Sequence, residues 1–257
     1  MSIIKKLARA SIPKRFHPTR VFSQRLNAAS NHTVMSGAFR GMHYIDRSFG
    51  SQFFPKLMGT YELELSEVLH QLSLAGFRRV VIAGAAEGYY AVGMARWPTV
   101  EKVLAFEAHP EAHIALAELA VRNQVGEKIE QRGLCDCSEL SLALNRPNET
   151  LLVVDIEGGE SILLDPNMVP ALREVALLVE MHDCFLPGLG PLIERRFSQS
   201  HDITRIDART RTLDDLPSGI KEPPSYLLGA ALAALDEGRP PGMYWLLMWP
   251  HVANANR

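Results

Sequence analysis

From residue 62 onward, the order of apolar and polar positions divides the chain into alternating short strands and helices. Apolar, largely β-branched runs of strand length occur at Arg79–Ala83, Val103–Glu107, Leu151–Asp155 and Ala176–Met181, with a weaker one at Lys128–Leu134. Runs that are apolar on both faces predict strands covered by helices on either side of a parallel sheet. Between them, apolar residues recur at helical spacing over Glu62–Ala75, Gly88–Trp97, Pro110–Asn123, Ser138–Leu144 and Met168–Glu174. Pro110 opens its segment where a missing N–H costs nothing. Strict alternation predicts right-handed crossovers between parallel strands. The end of the chain departs from this: His201–Ala208 and Met243–Trp249 read as two further strands, separated by residues 209–242 with their five prolines. That insert is long enough to form a lid or a substrate wall.

The densest chemistry lies where the first strand ends. The apolar run breaks at Gly84, Gly88 follows, and helical spacing then begins, so backbone can approach a ligand closely there. The next strand ends in Glu107, where a doubly wound sheet anchors two ribose hydroxyls through a charge-assisted pair of hydrogen bonds. A dinucleotide turn needs glycine at the position of Ala86, and no lysine or arginine between Arg79 and Arg96 is available to a phosphate loop. Glu87 would repel a pyrophosphate and suit the ammonium and sulfonium groups of S-adenosylmethionine. Two later strands also end in ionisable groups, at Asp155-Ile-Glu-Gly-Gly-Glu160 and Glu180-Met-His-Asp183. In open α/β sheets such groups converge on one crevice.

The D-x-E-G-x-E pattern at Asp155 to Glu160, E-x-H at Glu180 to His182 and G-A-x-x-G-Y-Y at Gly84 to Tyr90 resemble the FkbM-type S-adenosylmethionine-dependent methyltransferases. The resemblance runs over residues 37–250 and includes Gly59 to Leu65 ahead of the first strand. It implies an α/β fold, a doubly wound, mostly parallel seven-stranded Rossmann-like sheet with an antiparallel edge strand. It also implies O-methylation of a hydroxyl on a sugar, glycan or other small molecule, with S-adenosyl-L-methionine as cofactor. The cofactor-contacting positions expected on this reading are Tyr61, Glu62, Gly84, Ala85, Ala86, Glu87, Gly88, Glu107, Ala108, Cys135, Asp136 and Asp155. The chain departs from the family pattern at Ile82 and Ala86, where an acid and an asparagine are usual.

Methyl transfer from a sulfonium is an in-line displacement, so holding the reacting atoms collinear supplies most of the acceleration. A hydroxyl acceptor also needs a base, and His182 is the expected one because imidazole titrates near neutrality. Asp155 is the second expected catalytic residue, orienting the acceptor or binding the donor's amino group. A divalent cation held by Asp155, His182 and Asp183 is the alternative source of activation. Two other classes stay open: a scaffold with a degenerate methyltransferase fold, suggested by Ile82, and a nicotinamide-dependent oxidoreductase, suggested by Glu107 and the βαβ pattern.

Composition narrows the setting. The chain has 257 residues, 47% hydrophobic and 22% charged, enough to bury a large core. No apolar run approaches the roughly 20 residues that span a bilayer, and no secretory leader is apparent. Three cysteines, an odd number, fit a reducing compartment. The expectation is a cytoplasmic protein. Cys135 and Cys137 form a C-x-C without a matching pair, which is poor zinc spacing. The sheet region carries no basic stripe, so nucleic acid is not an expected partner. Residues 1–58 read as a basic extension and 59–257 as the methyltransferase domain. No acid precedes Asp46, and Ile3, Ile4, Leu7 and Ala8 lie among Lys5, Lys6 and Arg9. That segment suits a peripheral contact with an anionic membrane or an acidic glycan carrier, or else a solvated or subunit-packing arm.

Overall fold

The structure, a computed structural model, describes residues 16–251. In chain order these form α1 (Pro18–Ser30), α2 (Phe53–Met58), α3 (Ser66–Leu74), β1 (Arg79–Ala83), α4 (Tyr89–Ala95), β2 (Lys102–Phe106), α5 (Pro110–Arg122) and β3 (Ile129–Arg132). There follow α6 (Cys137–Ala143), β4 (Thr150–Val154), α7 (Glu160–Leu163), β5 (Ala176–Met181), α8 (Leu189–Phe197), β6 (His201–Asp207), α9 (Leu228–Leu235) and β7 (Tyr244–Pro250). The chain divides into two compact units, residues 47–50, 64–209 and 239 onward in the larger, and residues up to 46, 51–63 and 210–238 in the smaller.

The larger unit is a doubly wound α/β sheet of seven strands in the order β3-β2-β1-β4-β5-β7-β6. β1 to β5 run parallel, and β7 lies antiparallel to both of its neighbours. The expected antiparallel pairing at one edge is present, with β7 between β5 and the outermost strand β6. β4 and β5 are buried at every position, and β1 at all but Arg79, as unbroken apolar runs require when helices cover both faces. β3 is shorter than expected, beginning only after a 3-10 turn over Gly126–Lys128. Its half-exposed residues offer less apolar burial to extend it.

Register brings the functional ends level. Ala83 pairs with Phe106 on one side and with Val154 on the other, and Val154 pairs with Val179. The residues that follow, Gly84, Glu107, Asp155 and Glu180, therefore emerge at one end of four adjacent strands.

The helices show two departures from periodicity. The expected helix over Glu62–Ala75 is a 3-10 turn at Leu63–Leu65 leading into α3, because Glu62 adopts a φ of 48°, incompatible with a right-handed helix. Met168–Glu174 contracts to a 3-10 turn at Pro170–Arg173.

In the smaller unit, α1 begins with Pro18 in its first turn and buries Phe22, Leu26 and Ser30 along one stripe. The same unit holds α9, which lies in the proline-bearing insert, and buries Arg211 against Glu237 at 2.7 Å. No helix among the described residues is long and apolar enough to cross a membrane. The basic segment around residues 3–9 lies outside the described residues.

Candidate functional site

The turn after β1 is shaped by close backbone packing. Gly84 has φ +86°, and a Cβ there would lie 1.7 Å from the carbonyl oxygen of Asp155. Only glycine lets β1 and β4 stay paired to their ends, where Asp155 N–H donates to Ala83 O at 2.9 Å. Ala86 also adopts a left-handed φ of 45°. Its N–H donates to Glu107 Oε2 at 2.8 Å, while Glu107 Oε1 accepts from His109 N–H at 2.8 Å. Glu107 thus ties the β1 turn to the entry of α5, with its half-buried carboxylate at the sheet's end.

Across the sheet, four carboxylates gather around one imidazole. His182, just past β5, is 1% exposed, and its Nδ1 lies 2.7 Å from Glu160 Oε1. A carboxylate only accepts, so Nδ1 carries a proton and donates it to Glu160. Nε2 lies 3.5 Å from Asp155 Oδ1, 3.6 Å from Glu157 Oε2 and 3.6 Å from Glu180 Oε2. Phe185 stacks on the ring at 5.7 Å between centroids. Glu180 also pairs with Arg239, which reaches Glu64 at 3.5 Å.

Burial opposes the charged form of His182, but the hydrogen bond and charge of Glu160, with the charges of Asp155 and Glu157, outweigh it and raise the pKa above its ordinary value. Burial and the charge of Asp155 raise Glu157 likewise. The surrounding carboxylates therefore favour the protonated ring more than water does.

The expected site residues are not all brought together. Gly84, Ala85, Ala86, Gly88 and Glu107 lie together at the ends of β1 and β2, and Asp155 and His182 lie together beyond β4 and β5. Three others have work of a different kind. Glu87 is 0% exposed, and its carboxylate accepts from Ser48 Oγ at 3.2 Å and Phe49 N–H at 3.0 Å, so its charge serves a loop and not an exposed groove. Asp136 caps α6, accepting from Ser138 and Glu139 N–H at 2.9 and 2.8 Å. Cys135 has its thiol pushed up to about 12 by burial and then by Asp136, which leaves it protonated and unreactive. Ala108 is exposed just past β2. Tyr61 and Glu62 belong to the smaller unit, where the Glu62 N–H donates to Glu237 Oε1 at 3.2 Å.

Asp183, expected as a metal ligand, instead accepts from Tyr244 Oη at 2.9 Å and from Gly190 N–H at 3.1 and 3.2 Å. The expected catalytic and cofactor-contacting residues included neither Glu157 nor Glu160, nor Phe185. The i, i+3 spacing of Glu157 and Glu160 across a glycine turn was the available signal for the first two.

No protein-family model matches the sequence, and no curated protein matches it. Solved structures similar in fold include a protein from Klebsiella pneumoniae provisionally assigned as an O-methyltransferase, at 12% identity over 96% of this chain and 94% of that one, with a TM-score of 0.47. An O-methyltransferase from Bacillus cereus in complex with S-adenosylhomocysteine is 13% identical over 95% and 96%, with a TM-score of 0.46. An O-methyltransferase from Streptomyces achromogenes involved in tomaymycin synthesis, in complex with S-adenosylmethionine, is 16% identical over 80% and 89%, at 0.43. At these identities and TM-scores the likeness does not bear on activity.

Proposed function

We propose that the chain is an S-adenosylmethionine-dependent O-methyltransferase acting on a hydroxyl of a sugar, glycan or other small molecule, as its FkbM-type motifs imply. The observation that carries this reading is the concentration of Glu107, Asp155, Glu157 and Glu160 beyond, and Glu180 within, the level ends of four adjacent parallel strands. Such a donor set fits a cationic ligand and repels a pyrophosphate. Glu107 would hold the ribose: each oxygen accepts one backbone N–H, and a carboxylate oxygen has a second lone pair to offer. The Gly84–Gly88 backbone and Asp155 would complete the cofactor's surroundings.

The bound donor supplies an electrophilic methyl carbon, so that a lone pair of the acceptor oxygen forms the O–C bond, the C–S bond breaks with its electrons going to sulfur, and the hydroxyl proton is released. The chain's part is to hold the acceptor oxygen and receive that proton. Asp155 and Glu157 present the reachable oxygens, with side chains 28% and 64% exposed, while His182 balances their charge from beneath.

Calorimetric titration of the full chain with S-adenosylhomocysteine and with NADH tests the proposal. Micromolar binding of the former alone supports it. Binding of neither favours a scaffold, in keeping with the buried Ile82 and the inward Glu87, and binding of NADH alone makes the chain an oxidoreductase.

A further inference from the structure

We infer that Asp155, Glu157 and His182 form a binding site for one divalent first-row transition-metal cation; only its use in catalysis rests on the methyltransferase reading. One ligand atom from each residue lies within 4.8 Å of the others. Because Nδ1–H is committed to Glu160, the lone pair of the neutral ring is on Nε2, the atom that faces Asp155 and Glu157. A histidine oriented by a carboxylate on its far nitrogen is the arrangement that fixes the tautomer of metal-bound imidazoles.

The spacing distinguishes a cation site from an ordinary cluster of hydrogen bonds. The Nε2 distances to the Asp155 and Glu157 oxygens, 3.5 and 3.6 Å, exceed hydrogen-bond length, as does the 3.6 Å to Glu180, and among the described residues Nε2 makes no hydrogen bond. With metal–ligand bonds of about 2.1 Å, those separations correspond to N–metal–O angles of about 113° and 118°, close to tetrahedral.

A second observation is independent of this geometry. Glu160 is 0% exposed, and its Oε2 is buried with no hydrogen-bond partner among the described residues. An isolated buried carboxylate oxygen is costly, and positive charge on the neighbouring imidazole side is what offsets it. A cation on Nε2 supplies that charge through the ring.

The donor set indicates the kind of cation. One imidazole with two carboxylates suits zinc or manganese better than magnesium, which prefers an all-oxygen octahedron. Three protein ligands, with Glu157 on the solvent side, leave a coordination position for a water or an acceptor oxygen. A metal there would lower the pKa of the acceptor hydroxyl.

The test is calorimetric titration of the chelator-treated full chain with Zn²⁺, Mn²⁺ and Mg²⁺, without cofactor. We expect saturation at one ion per chain, with affinities falling from Zn²⁺ to Mn²⁺ to Mg²⁺. Glu157→Gln, at an exposed side chain, should weaken Zn²⁺ binding at least about tenfold, and Glu111→Gln on the exposed face of α5 should not. Equal affinity in the Glu157→Gln protein, or no saturation by about 1 mM metal, overturns the assignment. S-adenosylhomocysteine binding, measured on the same metal-free protein, decides the methyltransferase reading separately.

Discussion

Replacing Gly84 with alanine should disable the ligand-binding end of the sheet. The new Cβ would lie 1.7 Å from Asp155 O and 2.7 Å from Asp155 C, both backbone atoms, so no side-chain rotation relieves the overlap. At φ +86° an L-residue also carries backbone strain of about 1–2 kcal/mol. Separation of β1 from β4 costs the Asp155 N–H to Ala83 O bond of 2.9 Å, about 0.5–1.5 kcal/mol. Reduced freedom of the unfolded chain returns about 0.4–1 kcal/mol. Displacement of Asp155 by more than 1 Å adds lost packing beneath it, so the net loss should be about 2–4 kcal/mol. That corresponds to a Tm lowered by roughly 4–16 °C for a unit of this size. Trp97, Trp245 and Trp249 all lie in the larger unit, so tryptophan fluorescence during thermal unfolding reports on it alone. Gly126→Ala, with nothing within 4 Å of its Cβ, is the control. If the two variants melt together, the turn has room that the packing argument denies.

The other predictions concern single groups. Glu107→Ala should weaken S-adenosylhomocysteine binding at least about tenfold, given about 1.5–3 kcal/mol for a hydrogen bond to a charged group, and unchanged affinity in calorimetry would sink the ribose assignment. His201 is 3% exposed, with Nε2 donating to Val175 O at 2.9 Å, and burial lowers its pKa below the ordinary 6.5. The unfolded chain then binds the proton more readily, so this contribution is complete above about pH 6.5 and lost on acidification through the lowered value. Urea midpoints of His201→Gln should fall less than wild type between pH 7 and pH 5; parallel curves would refute this. Tyr244→Phe removes the donor to Asp183 Oδ2 and should cost about 1–2 kcal/mol in urea unfolding, with a negligible change showing that solvent already satisfies Asp183.

The strands were legible because burial on both faces leaves an unbroken apolar run, as in Val80–Ala83 and Leu151–Val154. Helices with mixed signals were harder to read. α8 went unpredicted although Leu189, Ile193 and Phe197 recur every fourth residue after Gly188, with Arg195 and Arg196 in the last turn. Pro18 reads as a breaker of the basic N-terminal stretch, yet it opens α1, the position where proline's missing N–H is harmless. Within the site, the sequence identifies which acids follow the strands but not where each side chain turns. Asp155 and Asp183 follow neighbouring strands with similar surroundings. One meets His182, while the other is captured by Tyr244, 61 positions away in the chain. Glu87 turns inward because the amide of Phe49 is there to receive it, a tertiary contact that no local pattern announces.

The position of β7 has a consequence for biosynthesis. Among the described residues, β6 pairs with β7 alone, and the far edge of β5 is covered by β7 alone. As the ribosome extends the chain, β5 presents an open row of backbone donors and acceptors, and β6 waits without a neighbour, until residues 244–250 emerge. An unpaired edge of this kind is a template for pairing with another chain. Closure of the sheet thus waits for residues 244–250, and a nascent chain stalled before Tyr244 would carry open strand edges beside a nearly finished site.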